Sequence, residues 1–451
     1  MNKHTANQED HINRRSFLKG VGALGISAVL PYSINAADLD YKDIVFDSDL
    51  YSQNNAQTII VYLYGGPSEL GGNLTNIAQI NTESQNPYPL NDMTLTANHC
   101  WAESGGDVME SLLQNENMNL FRTCYRTVDN LKAHGECTSQ AQRGKHNEGG
   151  AGIIANLSSI LHHKGAIGEP TSEDDIGKSI PFVTMEGEST FFREDDLGLP
   201  SFLKPVALGS SSSNPYQRKG WFQKQIINKE TNTTLGQMLD EMAQNINPDG
   251  KIKEAFDRRE TLEKFRDEIE GIESPVEYPA NNTFADRLEF AMKLLIHNEH
   301  TKVVSMGSPG LGGWDDHSNA INKYTDRMQD LMEAIDAAVT HMNTENRTNI
   351  NIVIFGEFGR NVNYNDSEGW DHGNNQNVYW IGGSDYMNHL GIVGETEVYG
   401  TGSNNRLYTR PTSTSPSFQV FSIAATIYKM YGITNPEVLT DGNAPITDLL
   451  K

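Results

Sequence analysis

The chain is poor in cysteine and has no long apolar run. Only three of its 451 residues are cysteine, and Cys100, Cys124 and Cys137 lack the spacing of a thiolate zinc site. We interpret them as structural. Cys124 and Cys137 could pair and leave Cys100 unpaired, and the sequence alone does not decide the connectivity. No stretch approaches the roughly 18 consecutive apolar residues of a membrane-spanning helix, so we expect no membrane span in the mature chain.

Basic residues are scarce. The chain has 35 Lys and Arg against 59 Asp and Glu, which gives a formal net charge of −24. Because a surface this acidic repels the phosphate backbone, we expect no nucleic-acid partner. The chain also lacks the G-x-S-x-G turn of a serine hydrolase and any repeat at the period of a solenoid.

Residues 1–36 have the pattern of an export signal. Arg14 and Arg15 stand before a short apolar stretch, VGALGISAVL (21–30), and a small-residue site follows near Ala36. The apolar stretch is too short to span a bilayer, and the arginine pair is typical of the twin-arginine subtype. We therefore expect a twin-arginine signal peptide at 1–36, recognised by the twin-arginine translocase, and a mature protein that is periplasmic or secreted.

Residues 37–451 have the pattern of an α/β protein. Short runs of β-branched and aromatic residues predict buried strands at 58–64, 119–125, 301–307, 349–356 and 378–383. Apolar residues at helical spacing predict helices at 284–298, 324–343 and 418–433. Strands that alternate with helices predict a largely parallel sheet covered on both faces. Residues at about 165–280 are first loop-like and then charged and helical, and we interpret them as insertions.

Polar residues follow the predicted strands. GGPSELGG (65–72) follows the first, SPGLGGWDDHS (308–318) the third, and EFGRN (357–361) with GWDHG (369–373) the fourth. Because ligands bind outside the carboxyl ends of parallel strands, these segments are expected to meet at one edge of the sheet. The side chains offered there are Ser68, Glu69, Asp315, Asp316, His317, Glu357, Arg360, Asp371 and His372.

These side chains bring oxygen and imidazole ligands without thiolate. Such a set suits Zn²⁺, Mn²⁺, Mg²⁺ or Ca²⁺, as one ion or as two ions about 4 Å apart. Arg360 has the planar guanidinium that complements an oxyanion. His134 follows the second strand and could reach the same edge, although a single His is more often structural. Ser68 could be a nucleophile, a ligand or the N-cap of a helix.

Taken in order, the motifs resemble those of a known family. RRSFLKG, LYGGPSE, GGWDDHSN, FGEFGRN and GWDHG are similar to segments of an exported bacterial family of unknown function in the alkaline phosphatase-like, sulfatase-like superfamily. The resemblance covers most of residues 58–433. It implies a three-layer α/β/α sandwich, usually with two metal ions held by Asp and His, and hydrolysis or transfer of phosphate, sulfate or phosphonate esters. The residues that match family motifs are Asp315, His317, Glu357, Arg360, Asp371 and His372.

One position departs from the family pattern. Many relatives have Asp in the Gly-Gly-x-Asp slot, where this chain has Ser68 followed by Glu69. Either Glu69 replaces that Asp as a ligand, or Ser68 has another role, or the second metal site is incomplete. Asp316 occupies a position usually held by Thr, so we expect it to be a spare carboxylate beside Asp315.

We therefore predict a metal-dependent hydrolase of phosphate or sulfate esters that acts on a small molecule or a polysaccharide. The predicted metal ligands are Asp315, His317, Glu357, Asp371, His372 and Glu69, and Glu357 could instead orient a ligand. The predicted catalytic residues are Ser68, Arg360 and His134. One alternative is a non-catalytic exported protein whose metal pocket binds a glycan or an envelope partner. Another is a metal-independent hydrolase that uses Ser68 with His134 or His372.

Overall fold

The structure covers most of the chain beyond the predicted signal peptide. A computed structural model describes residues 41–127, 132–146, 149–171, 176–186, 189–207, 265, 268–269, 271–402 and 406–451. All of these residues belong to one compact unit. The predicted signal peptide at 1–36 lies outside the described residues and stays a prediction. The predicted export route likewise stays a prediction.

Strands and helices alternate along the described residues. The strands are β1 (Gln57–Leu63), β2 (Met118–Tyr125), β3 (Phe182–Thr184), β4 (Val206–Ala207), β5 (Val303–Met306), β6 (Ile350–Gly356), β7 (Gly359–Arg360), β8 (His372–Gly373), β9 (Asn375–Gly382), β10 (Ile392–Val393), β11 (Thr396–Gly402) and β12 (Arg406–Pro411). The α-helices are α1 (Ser48–Asn54), α2 (Ile77–Glu83), α3 (Gly106–Gln114), α4 (His134–Arg143), α5 (Ile153–His163), α6 (Thr283–His297), α7 (Ala320–Thr344) and α8 (Phe421–Met430).

Short 3₁₀ helices lie in several connections. They are Leu70–Gly72, Leu90–Asp92, Ala102–Ser104, Ile176–Ser179, Thr190–Phe192, Ser201–Leu203 and Pro436–Leu439. Within the described part of the chain, no helix combines the length and the apolar character that crossing a bilayer requires.

Eight strands form one mixed sheet, in the order β10-β2-β9-β6-β1-β5-β3-β4. β1 lies parallel to both β5 and β6, and the pairs β5–β3, β3–β4 and β2–β10 are parallel as well. β9 runs antiparallel to both of its neighbours, β2 and β6. The predicted α/β fold with a largely parallel central sheet is confirmed.

The direction of β9 follows from its connection. Residues 357–374 join β6 to β9 through the short β7–β8 pair, without a helix. Because a parallel return needs a long crossover that is usually helical, a strand that returns without one runs antiparallel. The start of β9 therefore lies at the sheet edge where the neighbouring parallel strands end. This brings residues 369–373 to the same edge as the loops after β1, β5 and β6.

Alternate side chains of the strands pack into two cores. In β1, Ile59 and Val61 belong to one core, and Ile60 and Tyr62 belong to the other. Apolar residues of α3, α6 and α7 complete the first core, and those of α5 and α8 complete the second. The sheet therefore lies between two helical layers, and its central strands are buried on both faces, as near-continuous apolar runs require.

The sequence explains why α6 and α7, the two longest helices packed against the first core, form where they do. α6 begins after Asn282, whose side-chain oxygen accepts hydrogen bonds from the backbone N–H of Phe284 and Ala285, as a good N-cap residue does. In α7, buried residues recur at helical spacing from Tyr324 to Met342 and face the sheet. Both helices agree with the predicted segments to within about one turn.

The segment interpreted as insertions also contributes to the sheet. Two strands, β3 and β4, lie among the described residues of this segment. β3 pairs with β5, and β4 pairs with β3 and extends the sheet by one strand. These strands are three and two residues long. They are too short to produce the apolar run by which a strand is recognised in a sequence.

The three cysteines are buried thiols. No disulfide joins Cys100, Cys124 and Cys137, all of which the structure describes, so the possible pair of Cys124 and Cys137 is not formed. Burial raises the pKa of Cys100 and Cys124. A thiol in such surroundings is unreactive, which agrees with a structural role.

Candidate metal centre

Loops from three strands meet in close contact at the carboxyl edge of the sheet. Gly65, after β1, has φ +112°, and a Cβ there would lie 2.5 Å from the backbone nitrogen of Asp315. Gly369, the first residue of GWDHG, would place a Cβ 2.1 Å from the backbone carbonyl carbon of His317. Only glycine permits these approaches. The two glycines therefore allow three loops that are distant in sequence to lie against each other.

Three histidines converge on one oxygen of Asp315. The Nε2 atoms of His134, His317 and His372 lie 3.3, 3.0 and 3.7 Å from Asp315 Oδ1. One potential ligand atom from each of the four residues lies within 4.8 Å of the others. The Nε2 atoms of His317 and His372 are only 3.1 Å apart. This group of one carboxylate and three imidazoles could hold a metal ion.

Each of the three imidazoles also has an oxygen acceptor on its other side. The contacts at Nδ1 are Glu357 Oε1 at 2.9 Å for His134, Asp371 Oδ1 at 3.2 Å for His317, and the Lys132 carbonyl at 2.6 Å for His372. An acceptor at Nδ1 keeps the proton on that nitrogen and leaves the lone pair of Nε2 directed at Asp315. His134 Nε2 is buried without a hydrogen-bond partner. Metal-binding histidines are oriented in this way.

Arg360 connects the loops beneath the cluster. Its buried guanidinium donates hydrogen bonds to main-chain oxygens of three loops, at Gly65, Gly66, Trp314 and Trp370. Its Nη2 also lies 2.6 Å from Asp315 Oδ1. The β7–β8 pairing places Arg360 directly opposite His372. Arg360 thus fixes the position of the Asp315 carboxylate relative to the histidines.

The local charges favour the ligand form of Asp315 and of His372, whereas they make His134 easier to protonate. Partial burial acts to raise the pKa of Asp315, but the hydrogen bond and charge of Arg360 outweigh it and the pKa is lowered. Burial, followed by the charge of Arg360, lowers the pKa of His372 to about 4. The hydrogen bond with Glu357 raises the pKa of His134. An ionised Asp315 and a neutral His372 near pH 7 are both ready to bind a cation.

Ser68 and Glu69 lie outside this cluster. Ser68 Oγ accepts a hydrogen bond from the Leu70 N–H at 3.3 Å, and the Ser68 carbonyl accepts one from the Tyr324 hydroxyl at 2.6 Å. Glu69 is completely buried and accepts hydrogen bonds from the Asn375 amide and the Thr409 hydroxyl. Among the described residues, no hydrogen bond or ion pair joins either side chain to the three histidines.

A family model matches about half of the chain. Residues 212–442 match the family described as "Protein of unknown function (DUF1501)". The chain belongs to this family. The matched region includes Asp315, His317, Glu357, Arg360, Asp371 and His372, so the DUF1501 segment supplies most of the cluster. His134 reaches the cluster from outside the matched residues. No curated protein sequence matches the chain.

Several solved structures resemble this DUF1501 protein at low identity. Ps i-CgsB, crystallised in complex with k-i-k-neocarrahexaose, is 11% identical with a TM-score of 0.37, over 87% of this chain and 75% of that chain. The lipoteichoic acid synthase LtaP from Listeria monocytogenes is 8% identical with a TM-score of 0.32, over 90% and 78%. The alkaline phosphatase from the Antarctic bacterium TAB5 is 9% identical with a TM-score of 0.34, over 83% and 98%. TM-scores this low support no functional argument.

We expect Glu69→Gln to make the stability of the protein less dependent on pH. Burial raises the pKa of Glu69 to about 8, although the hydrogen bonds from Thr409 and Asn375 act to lower it. Because the pKa in the folded state lies above the unfolded value, protonation of Glu69 stabilises the fold at low pH. That contribution is lost as the pH rises through about 8.

Thermal unfolding measured from about pH 5 to about pH 9 tests this expectation. The wild-type protein should lose stability across that range more steeply than Glu69→Gln. Glu395→Gln, at an exposed position, is the matched control and should follow the wild type. Parallel profiles for all three proteins would show that Glu69 is not protonated in the fold.

Two cationic residues beside the cluster are absent from the sequence prediction. The Lys132 side chain extends over the Tyr408 ring, with Nζ 4.9 Å from the ring centroid. Arg406 Nε lies 2.9 Å from Asp371 Oδ2. Burial, followed by the charge of Arg406, lowers the pKa of Lys132. Lys132 stands two residues before His134 and could be suspected for that reason, whereas Arg406 begins a distant hairpin strand and has no such signal.

Proposed function

We propose that this protein is a metal-dependent hydrolase of phosphate or sulfate esters, with a small molecule or a polysaccharide as the substrate. The supporting observation is the convergence of three Nε2 atoms on Asp315, each from a ring with its own acceptor at Nδ1. Two unprotonated nitrogens 3.1 Å apart, those of His317 and His372, repel each other unless a cation or a proton lies nearby. A divalent ion at this point would accept all four ligands.

The donor set favours Zn²⁺ or Mn²⁺ in this proposal. Imidazole suits these ions, whereas Mg²⁺ and Ca²⁺ prefer oxygen ligands. Glu357 and Asp371, which contact Nδ1 of His134 and His317, would orient the rings and not bind the ion directly. Glu69 would have no ligand role, because its carboxylate is occupied by Asn375 and Thr409. A bound ion would supply Lewis-acid polarisation of the ester oxygen.

Access to the cluster, the position of Asp315 and the choice of nucleophile depend on side chains of the protein. The side chains of Asp315 and His317 are 47% and 44% exposed, so water and an ester can reach the cluster from solvent. Arg360 prevents the Asp315 carboxylate from turning away. Ser68 Oγ faces its own turn. We therefore propose that water, and not Ser68, attacks the ester.

The position of Ser68 also favours a second candidate, a protein that binds without catalysis. Ser68 is 4% exposed and is held by Leu70 and Tyr324, so the predicted nucleophile is not presented to the cluster. In this alternative the pocket holds a metal ion and binds a glycan or an envelope partner. The two candidates differ in turnover and not in metal binding.

Metal analysis combined with aryl phosphate and aryl sulfate assays tests the proposal. We expect bound zinc or manganese, and hydrolysis that is lost on chelation and restored by the metal. His372→Ala should lose both metal and activity, whereas His389→Ala, at an exposed position away from the cluster, should keep both. Metal binding without hydrolysis would favour the binding protein. Wild-type protein without affinity for any divalent metal would contradict both candidates.

A further inference from the structure

Hydrolysis of a charged ester needs a cation that contacts the oxygens of the substrate. Arg360 is the cation that the motif indicates, but it is only 1% exposed. Its guanidinium already contacts Asp315 and the main-chain oxygens of Gly65, Gly66, Trp314 and Trp370. A substrate would have to displace these hydrogen bonds to reach it. Beyond the metal ion, the substrate anion therefore needs a cationic partner other than Arg360.

Lys132 and Arg406 flank the cluster on one side. The Lys132 carbonyl accepts the Nδ1–H of His372, so the Lys132 backbone lies directly behind that ring. Arg406 is paired with Asp371, whose other oxygen contacts His317. The main chain of Lys132 thus contacts one proposed metal ligand, and the guanidinium of Arg406 is joined through Asp371 to another. Lys132 Nζ lies over the ring of Tyr408, which is two residues beyond Arg406 on β12 and so on the same face of that strand.

Both residues retain unused capacity to bind an anion. Lys132 forms no ion pair with any described residue, and its Nζ lies over the face of the Tyr408 ring. Arg406 pairs with Asp371 through Nε, and its Nη1 and Nη2 form no hydrogen bond with any described residue. Two like charges held together beside an open cluster repel each other, and an anion between them would relieve the repulsion.

We infer that Lys132 and Arg406 bind the anionic group of the substrate beside the metal ion and select phosphate monoesters over sulfate monoesters. This inference rests on the proposed function and specifies its substrate class. The ammonium of Lys132 and the guanidinium of Arg406 donate hydrogen bonds to the non-bridging oxygens of the ester. Asp371 holds Arg406 in place through its second oxygen.

The preference for phosphate follows from the charge balance of the site. The positive groups Lys132, Arg360 and Arg406 balance the negative groups Asp315, Glu357 and Asp371. The two positive charges of a bound divalent ion would therefore remain to be neutralised by the substrate. A phosphate monoester near neutral pH carries nearly two negative charges, about −1.5 to −2, whereas a sulfate monoester carries one. The dianion neutralises the site and is attracted more strongly.

Calorimetric titration of the metal-loaded protein with inorganic phosphate and with sulfate tests the inference. Lys132→Gln should weaken phosphate binding roughly 10-fold to 100-fold, the range expected for a lost hydrogen bond to a charged group. Metal content should not change, because Lys132 contacts His372 through its backbone. Lys132→Arg keeps the charge and should retain most of the affinity.

Arg410→Gln is the matched control. Arg410 lies four residues beyond Arg406 on β12, where its guanidinium is exposed and paired with Glu397 at 2.7 Å. Its replacement should leave phosphate binding unchanged. The same set of variants assayed with aryl phosphate should show a raised KM in Lys132→Gln alone.

The outcomes separate this inference from the proposed function. Unchanged phosphate affinity in Lys132→Gln, no phosphate binding by the wild type, or a wild-type preference for sulfate would each overturn the inference. Phosphate binding that depends on Lys132 in a protein that hydrolyses neither ester would contradict the proposed function and leave the anion site standing.

Discussion

Asp315→Ala is expected to abolish metal binding and to destabilise the fold less than replacement of its neighbour Asp316. Asp315 is the only carboxylate among the four proposed ligands, and three imidazoles converge on its Oδ1. Its loss would also leave the Arg360 guanidinium facing the ion without a counter-charge. Loss of a partner that only orients a ligand typically costs about 10-fold to 100-fold in metal affinity. Loss of Asp315 should cost more than that.

Asp316→Ala, at the next residue, is expected to destabilise the fold strongly and to leave metal binding intact. Asp316 is 6% exposed, and its Oδ1 lies 2.5 Å from Nη2 of Arg327, which is also buried. Removing one partner of a buried pair leaves an uncompensated charge, which destabilises a fold by about 3–5 kcal/mol. Metal binding should persist at temperatures where this variant is folded.

Metal content and denaturant unfolding of the two variants, measured side by side, check this contrast. Because the Asp315 side chain is half exposed, its loss should destabilise the fold less than the loss of Asp316, whose pair with Arg327 is buried on both sides. If Asp315→Ala retained the metal while Asp316→Ala lost it, the adjacent carboxylates would have exchanged roles. Metal retention in both variants would place the site elsewhere.

Arg360→Met is expected to destabilise the protein by about 3–5 kcal/mol. The substitution removes a buried guanidinium that donates to the main chain of three loops and contacts Asp315. The carbonyls left behind are buried and lose their donors, which adds a desolvation cost. Arg193→Met is the control, because Arg193 also contacts one carboxylate, that of Asp195, but is 64% exposed.

Denaturant unfolding of both arginine variants measures the difference. The control should lose about 1 kcal/mol or less, as exposed ion pairs do. If Arg360→Met were as stable as Arg193→Met and lost only affinity for the substrate, Arg360 would be the substrate-binding cation. The assignment of that role to Lys132 and Arg406 would then be wrong.

Much of the sheet could be predicted from the sequence because its central strands are buried on both faces. β1 and β6 are continuous apolar runs, and such runs are recognisable without knowledge of neighbours. β3 and β4 are too short to leave that pattern. The direction of β9 was not predictable from its own residues. It depends on the absence of a helix in the connection after β6.

The candidate site could be predicted as a set of side chains but not as an arrangement. The rule that ligands bind at strand ends is enough to gather Asp315, His317 and His372. The contacts between histidine ring nitrogens and their oxygen partners depend on how the loops pack. The close approaches at Gly65 and Gly369 determine this packing. For the same reason, the complete burial of Arg360 could not be inferred from EFGR.

The contacts made on the far side of the histidine rings could not be assigned from the motifs. Glu357 and Asp371 stand in the same motifs as the proposed ligands, yet their carboxylates contact Nδ1 atoms. Lys132 contributes a carbonyl to His372, and any residue type could provide that group. Arg406 begins β12, which no motif connects to the cluster.

Anomalous diffraction from crystals grown with Zn²⁺ and recorded on both sides of the zinc absorption edge tests the metal centre most directly. We predict one peak among His134, His317, His372 and Asp315, with Nε2 of each ring about 2.0–2.1 Å from the ion. Glu357, Asp371 and the Lys132 carbonyl should remain at the Nδ1 atoms. A zinc ion bound by Nδ1 atoms or by Glu69, or a cluster that stays without zinc, would contradict the account.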